Sequence, residues 1–269
     1  MVSKELPTVG TRTKLDLELK TFLSKNPELH LGGIGDFHEE RSDHTKVFGF
    51  HSLPKGQQAP IQSVEFTAIR GPHGTIPLRI FYPKSGEGRK RAGDAGALIY
   101  FHGGGYTIGT VYAVEYRLAL EWRFPTQLDE YVAVAEWLHG SGGKERGVSS
   151  EKVMGGGDSA GGNMTTAVSL RLRDEGKKPL VAQILLYPEA RLPFDTPAAS
   201  ENNSELYLEY HYLPRGTPPT HKYVSPGIQS NDTLKNVPPA AVFTCGFDPL
   251  RDVGVEYGTK LKQAGNQVA

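Results

Sequence analysis

Cysteine is almost missing from this sequence: Cys245 stands alone among 269 residues. One cysteine excludes internal disulfides and metal sites built from paired cysteines. It closes the apolar run Ala240–Cys245 and reads as a core residue. Charge of one sign is lacking as well, since 30 basic residues face 30 acidic ones. That balance gives no electrostatic basis for a nucleic-acid partner or an anionic membrane surface. No apolar run reaches transmembrane length, and Met1-Val2-Ser3-Lys4-Glu5 lacks the apolar stretch of about 7–15 residues that a signal peptide carries. Repeats are absent too. The expectation is a soluble, cytoplasmic protein without a membrane span, long enough for one large α/β domain, or two small ones, with a buried core.

What the sequence does contain is an alternation of strand and helix signals. Residues 1–55 are polar and hold one helix pattern, with Leu15, Leu19, Phe22 and Leu23 on one face. Strands are predicted at Ser63–Ile69 and Ile76–Tyr82, joined by the turn Gly71-Pro72-His73-Gly74. A charged loop over 83–96 leads to the apolar strand Ala97–Phe101, and a further strand is read at Val111–Tyr116. Helix Gln127–Leu138, strand Glu151–Gly155 and helix Ala160–Glu175 follow, the last stopped by Gly176. Val181–Tyr187 is apolar but for Gln183, as suits a parallel strand covered on both faces. The Pro-, Asn- and Tyr-rich stretch 188–239 reads as an inserted lid with one short helix around Tyr207–Tyr212. Strand Ala240–Cys245 and helix Asp252–Ala264 complete a mostly parallel, doubly wound sheet. The chain divides into an N-terminal cap segment, 1–55, and a core, 56–269, with the lid at about 188–239.

The chemistry is concentrated in Gly157-Asp158-Ser159-Ala160-Gly161, set between a strand and a helix. This is the Gly-x-Ser-x-Gly nucleophile elbow, whose sharp turn exposes the serine hydroxyl at the top of a sheet. The Ala160 N–H, at a helix N-terminus, is placed to meet an oxyanion. Fifty-seven residues upstream of Ser159, His102-Gly103-Gly104-Gly105 ends another strand as the oxyanion loop that accompanies such an elbow. Gly155-Gly156-Gly157-Asp158-Ser159-Ala160 also fits a dinucleotide fingerprint. Against that, Asp158 would face a pyrophosphate, and the next strand ends without a ribose-binding acid, Glu189 coming too late. His38 and His44 flank Glu39-Glu40, but their spacing puts them on different helix faces, and a solvated charged face is the better reading. After the last strand, Asp248-Pro249-Leu250 admits two readings. One is an ordinary turn with Asp252 capping the helix. The other, favoured by chain order, is a triad acid on the same sheet edge as Ser159.

These residues resemble the hormone-sensitive-lipase-like branch of the α/β-hydrolases, esterases and lipases of short- to medium-chain acyl esters. Tyr116-Arg117-Leu118-Ala119-Leu120-Glu121 is similar to that family's Tyr-Arg-Leu-Ala-Pro-Glu, with Leu120 in place of proline. The resemblance implies Ser159 as nucleophile, Asp248 as triad acid and His102 and Asp158 as motif support. It assigns the oxyanion hole to the loop Gly103, Gly104 and Gly105 with Ala160, the second and third glycines donating. It implies a small-molecule ester substrate, no cofactor and no metal. Residues 1–55 and part of 188–239 would cap the acyl pocket.

The family also places a helix between the oxyanion strand and the next one, whereas only His102–Thr110 separates Phe101 from Val111. A parallel crossover normally takes a dozen or more residues. The family's catalytic histidine lies beyond the acid, after one more strand, yet none of the nine histidines follows Asp248. No triad histidine is therefore assigned. The C-terminal strand and helix are expected to be missing, leaving Ala240–Cys245 as an open apolar edge. Ester hydrolysis is expected to be impaired. The alternative is a non-catalytic small-molecule-binding protein on this fold, as plant gibberellin receptors, which resemble the family, keep the serine and lose the histidine.

Overall fold

The computed structural model describes residues 14–27, 59–104, 114–202 and 211–269, with a few isolated positions between 29 and 56. Helix α1, Leu17–Lys25, begins at Asp16, whose carboxylate accepts the Glu18 and Leu19 N–H groups at 2.8 and 3.4 Å. Its apolar stripe stays exposed, with Leu17 at 75% and Leu23 at 53%. Most of the expected cap segment, including His38, Glu40 and His44, lies outside the described residues.

Strands β1 (Ile61–Gly71) and β2 (Gly74–Pro83) pair antiparallel through Ile69–Ile76 and Gly71–Gly74, so the hairpin turn falls where the sequence puts it. The charged loop carries more order than expected: a 3-10 turn at Lys84–Gly86 and a short helix α2, Glu87–Arg91. Glu87 in its first turn and Arg89, Lys90 and Arg91 in its last suit the helix dipole. A parallel sheet follows in the order β3 (Ala95–Phe101), β4 (Val148–Asp158), β5 (Gln183–Leu186), β6 (Ala240–Phe243).

Helices α3 (Thr126–His139), α4 (Ser141–Glu145), α5 (Ala160–Asp174), α6 (Pro197–Glu201) and α7 (Arg251–Gln263) complete the architecture. Phe101 stacks on Tyr131 of α3 at 4.0 Å and on Tyr116 at 5.0 Å, at the centre of one core that includes Leu128, Met164 and Leu172. A second core joins Leu170 and Leu185 to Val253, Tyr257 and Leu261 of α7. Helix α5 is buried over most of its length because it serves both cores. Gln183, the polar exception in β5, is buried and donates to Pro238 O at 2.9 Å.

Three sequence expectations need correction. The segment read as strand Val111–Tyr116 is described only from Val114, which bridges Leu78 of β2 antiparallel rather than joining β3 in parallel. The last strand is not wholly missing, because Gln267–Ala269 run beside β6. Ala240 N–H donates to Gln267 O, Ala269 N–H to Ala240 O and Val242 N–H to Ala269 O, each at 3.0 Å. Those bonds cover the β6 edge at Ala240 and Val242, while Phe243 stays 56% exposed. Cys245 is exposed instead of lying in the core, because β6 ends at Phe243 and the cysteine falls beyond the sheet. The lid helix read around Tyr207–Tyr212 lies outside the described residues except at His211 and Tyr212.

Candidate active site

The elbow is built by close backbone contact. Ser159 sits between β4 and α5 with φ 50° and ψ −117°, a conformation that costs energy for a residue with a side chain. Tertiary bonds hold it there. Its N–H donates to Leu186 O at 2.9 Å, and its carbonyl accepts from the Asn163 and Glu189 N–H groups at 3.0 and 3.2 Å. A Cβ on Gly161 would stand 1.8 Å from Phe101 O, so only glycine lets the end of β3 lie against the first turn of α5.

The loop after β3 is fastened to this turn. Asp158 Oδ1 accepts from the Tyr100 hydroxyl at 2.7 Å and from the Gly103 N–H at 2.9 Å. Gly103 has one N–H and it is used, so this glycine braces the loop and is no oxyanion donor. Gly104, at φ 104°, carries the chain onward in a conformation that favours glycine. Gly105 lies outside the described residues. Ala160 opens α5, where the first N–H groups of a helix have no partner inside it.

His102 also braces the loop. Its Nδ1 meets Gly103 O at 2.8 Å; a carbonyl can only accept, so Nδ1 carries the proton. The ring stacks on Tyr116 at 4.5 Å, and the Tyr116 hydroxyl donates to His102 O at 2.7 Å. Burial pushes the imidazole below its ordinary 6.5, and does the same for His139 and His221. Folded, these rings resist protonation, whereas in the unfolded chain they take up protons near pH 6.5. Their contribution to stability is present above that pH and is lost as pH falls below it. The urea midpoint should accordingly drop between about pH 7.5 and pH 5.5. A flat or rising midpoint across that window would contradict the burial of these rings.

Asp248 follows β6 as Ser159 follows β4 and His102 follows β3, so the parallel sheet delivers all three to its C-terminal edge. The carboxylate is half-buried, and its Oδ1 accepts the Leu250 N–H at 2.8 Å. Burial pushes it above the usual carboxylate range, opposed by that N–H and by Arg251. Asp252 does not cap α7; Leu250 holds the capping position. Instead Asp252 Oδ2 accepts the Ala198 N–H of α6 at 2.9 Å, and Oδ1 pairs with Arg251 Nε at 2.9 Å.

Two residues of the site went unassigned in the sequence. Arg251, 1% exposed, binds Asp252, Glu201 and Gly246 O and ties the acid loop to the lid. Asn163 Nδ2 donates to Glu189 O at 2.6 Å and Val224 O at 2.8 Å, fixing the elbow helix to the lid at two points. Its place just after the elbow was the only available signal. Further out, Arg117 pairs with the buried Glu130, and Gln127 Nε2 donates to Arg117 O and Trp122 O at 2.8 and 2.9 Å. Leu120 takes φ 67°, a backbone closed to the proline that the family motif has there.

His221 accepts the Tyr223 N–H on Nδ1 at 3.2 Å and sits edge-on to Phe124 at 5.3 Å, while His139 ends α3. Among the described residues no group of three His, Cys, Asp or Glu is placed to hold a metal ion, and no helix is long and apolar enough to cross a membrane.

A strained serine between parallel strand and helix, with a glycine loop strapped to it, is the nucleophile-elbow architecture. A family model described as the alpha/beta hydrolase fold matches residues 109–269. Esterase LipI of Mycobacterium tuberculosis is 31% identical over 242 residues, covering 79% of this chain and 73% of that protein. Carboxylesterase NlhH of the same species is 30% identical over 220 residues, covering 72% of this chain and 67% of its own length. The hyperthermophilic esterase from the archaeon Pyrobaculum calidifontis superposes with a TM-score of 0.82 at 28% identity, over 96% of this chain and 88% of that one. The chain belongs to the α/β-hydrolase fold family.

Proposed function

We propose that this chain is a carboxylic ester hydrolase by descent, built for small esters of short- to medium-chain acids, with Ser159 as its nucleophile. The observation that carries the reading is the backbone of Ser159, held at φ 50° between β4 and α5 with Ala160 opening the helix beside it. The relatives named esterase and carboxylesterase support it. In the reaction, Ser159 Oγ adds to the ester carbonyl and gives up its proton to a base. The carbonyl oxygen takes the negative charge among the N–H groups of Gly104, Gly105 and Ala160, and the alcohol leaves with a proton. Asp248 is the group that would orient an imidazole base. No cofactor enters these steps. The Asn163 bonds to Glu189 and Val224 hold the lid against the elbow helix. A cytoplasmic setting suits a lone, exposed thiol such as Cys245.

A specific observation supports a second reading. His102 spends its Nδ1–H on Gly103 O and braces the oxyanion loop, and no triad histidine is assigned to take the proton from Ser159. The fold would then bind a small molecule without turning it over. An alkyl fluorophosphonate separates the readings. If Ser159 is an activated nucleophile, mass spectrometry finds the adduct on the peptide containing Ser159, and Ser159→Ala removes it. Saturable binding of a short-chain ester with no adduct formed would favour the binding protein.

A further inference from the structure

Two residues with side chains stand next to each other at the C-terminal edge of the sheet in the left-handed region of backbone space. One is Ser159; the other is Tyr187, directly after β5, with φ 35°. Asp158 pairs with Leu186 in the parallel ladder, so Ser159 and Tyr187 are the next residues on neighbouring strands. The same bond fixes each of them. Ser159 N–H donates to Leu186 O at 2.9 Å, and Tyr187 N–H donates to Phe243 O at 2.6 Å, one strand further on. A positive φ is an outlier for a bulky residue, and a residue before proline is ordinarily extended. The surroundings maintain the strain. Pro188 is buried between two helices: a Cβ on Gly162 of α5 would lie 2.9 Å from Pro188 Cβ, and one on Gly254 of α7 would lie 3.4 Å from Pro188 Cδ. Backbone strain that tertiary contacts over-determine gathers where a protein meets its ligand.

The strand order β3-β4-β5-β6 decides which part of an ester Tyr187 meets. The loop His102–Gly104 follows β3 on one side of Ser159, and Tyr187 follows β5 on the other, toward Asp248. The carbonyl oxygen turns to the loop side, where the oxyanion is held. A base that takes the Ser159 proton returns it to the leaving alcohol, and Asp248 would orient that base from the β6 side. The alcohol arm therefore lies on the side of Tyr187.

We propose, on the ester-site reading given above, that Tyr187 sets the specificity for the alcohol arm of the ester. Its ring limits the bulk of the alcohol, and its hydroxyl donates to an oxygen of that arm. The phenol is half-buried, and burial, followed by the charges of Asp158, Cys245 and Asp248, pushes it up to about 12, so it keeps its proton at neutral pH. Those three neighbours come from the ends of β4 and β6, which flank the strand that carries Tyr187. Among the described residues the hydroxyl has no hydrogen-bond partner, and a half-buried donor of this kind is available to a ligand.

The test uses the whole chain carrying Ser159→Ala, which holds an ester without cleaving it. Saturation-transfer NMR gives Kd for ethyl acetate, cyclohexyl acetate and ethyl hexanoate, so the alcohol arm and the acyl arm are enlarged separately. Tyr187→Ala should shift the Kd ratio of the two acetates toward cyclohexyl acetate by at least about tenfold, and Tyr187→Trp should shift it the opposite way. The ratio of ethyl hexanoate to ethyl acetate should stay within about threefold of its starting value. Tyr187→Phe keeps the ring and loses the donor, so it should weaken both acetates about two- to tenfold with their ratio kept. Opposite shifts from a smaller and a larger side chain are not produced by a loosened fold. An acetate ratio unchanged in Tyr187→Ala and Tyr187→Trp would overturn the proposal, and so would a shift confined to the hexanoate. Absence of saturable binding of all three esters up to about 5 mM would also overturn it. Fluorophosphonate labelling of the parent chain is scored separately: no adduct on Ser159 would overturn the nucleophile, while the acetate ratios still decide Tyr187.

Discussion

The 269-residue chain should hydrolyse the p-nitrophenyl ester of a short acid about 10⁴–10⁶ times more slowly than a relative with a complete triad, which is what loss of one triad member costs serine proteases. The reason lies in proton bookkeeping. Ser159 is placed to attack, but attack requires its proton to leave, and no triad histidine is assigned to accept it; His102 instead braces the oxyanion loop through its Nδ1–H on Gly103 O. What remains is the catalysis of an oxyanion pocket and of substrate binding. Triad members act as a unit, so their removal is far from additive. Ser159→Ala should therefore lower the residual rate only by about a few-fold. A rate within about tenfold of a complete relative would overturn the expectation. His211→Ala and His221→Ala would then identify which lid residue serves as base.

The sequence made the elbow legible because its requirements are local. A strand, two glycines around a serine and a helix occupy one short stretch, and backbone sterics confine them to one turn. The β1–β2 hairpin was legible for the same reason, as were α3, α5 and α7 from their periodic faces. What the sequence hid are partnerships. Val114 has the residue pattern of any strand, and nothing local says that it pairs with Leu78 rather than with β3. Apolar neighbours made Cys245 look buried, yet burial depends on where β6 stops. The glycine-rich loop pointed to oxyanion donors, but that Gly103 is not one depends on Asp158, 55 residues away, taking its N–H. Arg251 reaches Glu201 across 50 residues, and Asn163 reaches Val224 across 61. Such contacts leave no periodic signal.

Gly161→Ala should be the most damaging single-methyl change in this part of the fold, costing at least about 3 kcal/mol of stability. The added Cβ would lie 1.8 Å from Phe101 O, 2.7 Å from Phe101 C and 3.0 Å from His102 C. All three are backbone atoms, so no side chain can rotate away. Either α5 or the end of β3 must move, and both are pinned: Phe101 is buried between Tyr116 and Tyr131, and Gly103 is bonded to Asp158. Alanine is the better helix former by about 1 kcal/mol, which offsets only part of the clash. The displacement would also pull the His102–Gly104 loop from Ser159, so fluorophosphonate labelling should fall with stability. Gly88→Ala provides the control, since nothing lies within 4 Å of its Cβ and it sits inside α2. That variant should be neutral or stabilised by up to about 1 kcal/mol. Urea unfolding of both variants beside the parent chain makes the comparison. If Gly161→Ala unfolds within about 1 kcal/mol of the parent, the end of β3 does not pack against the elbow, and the oxyanion loop is not held where the reaction needs it.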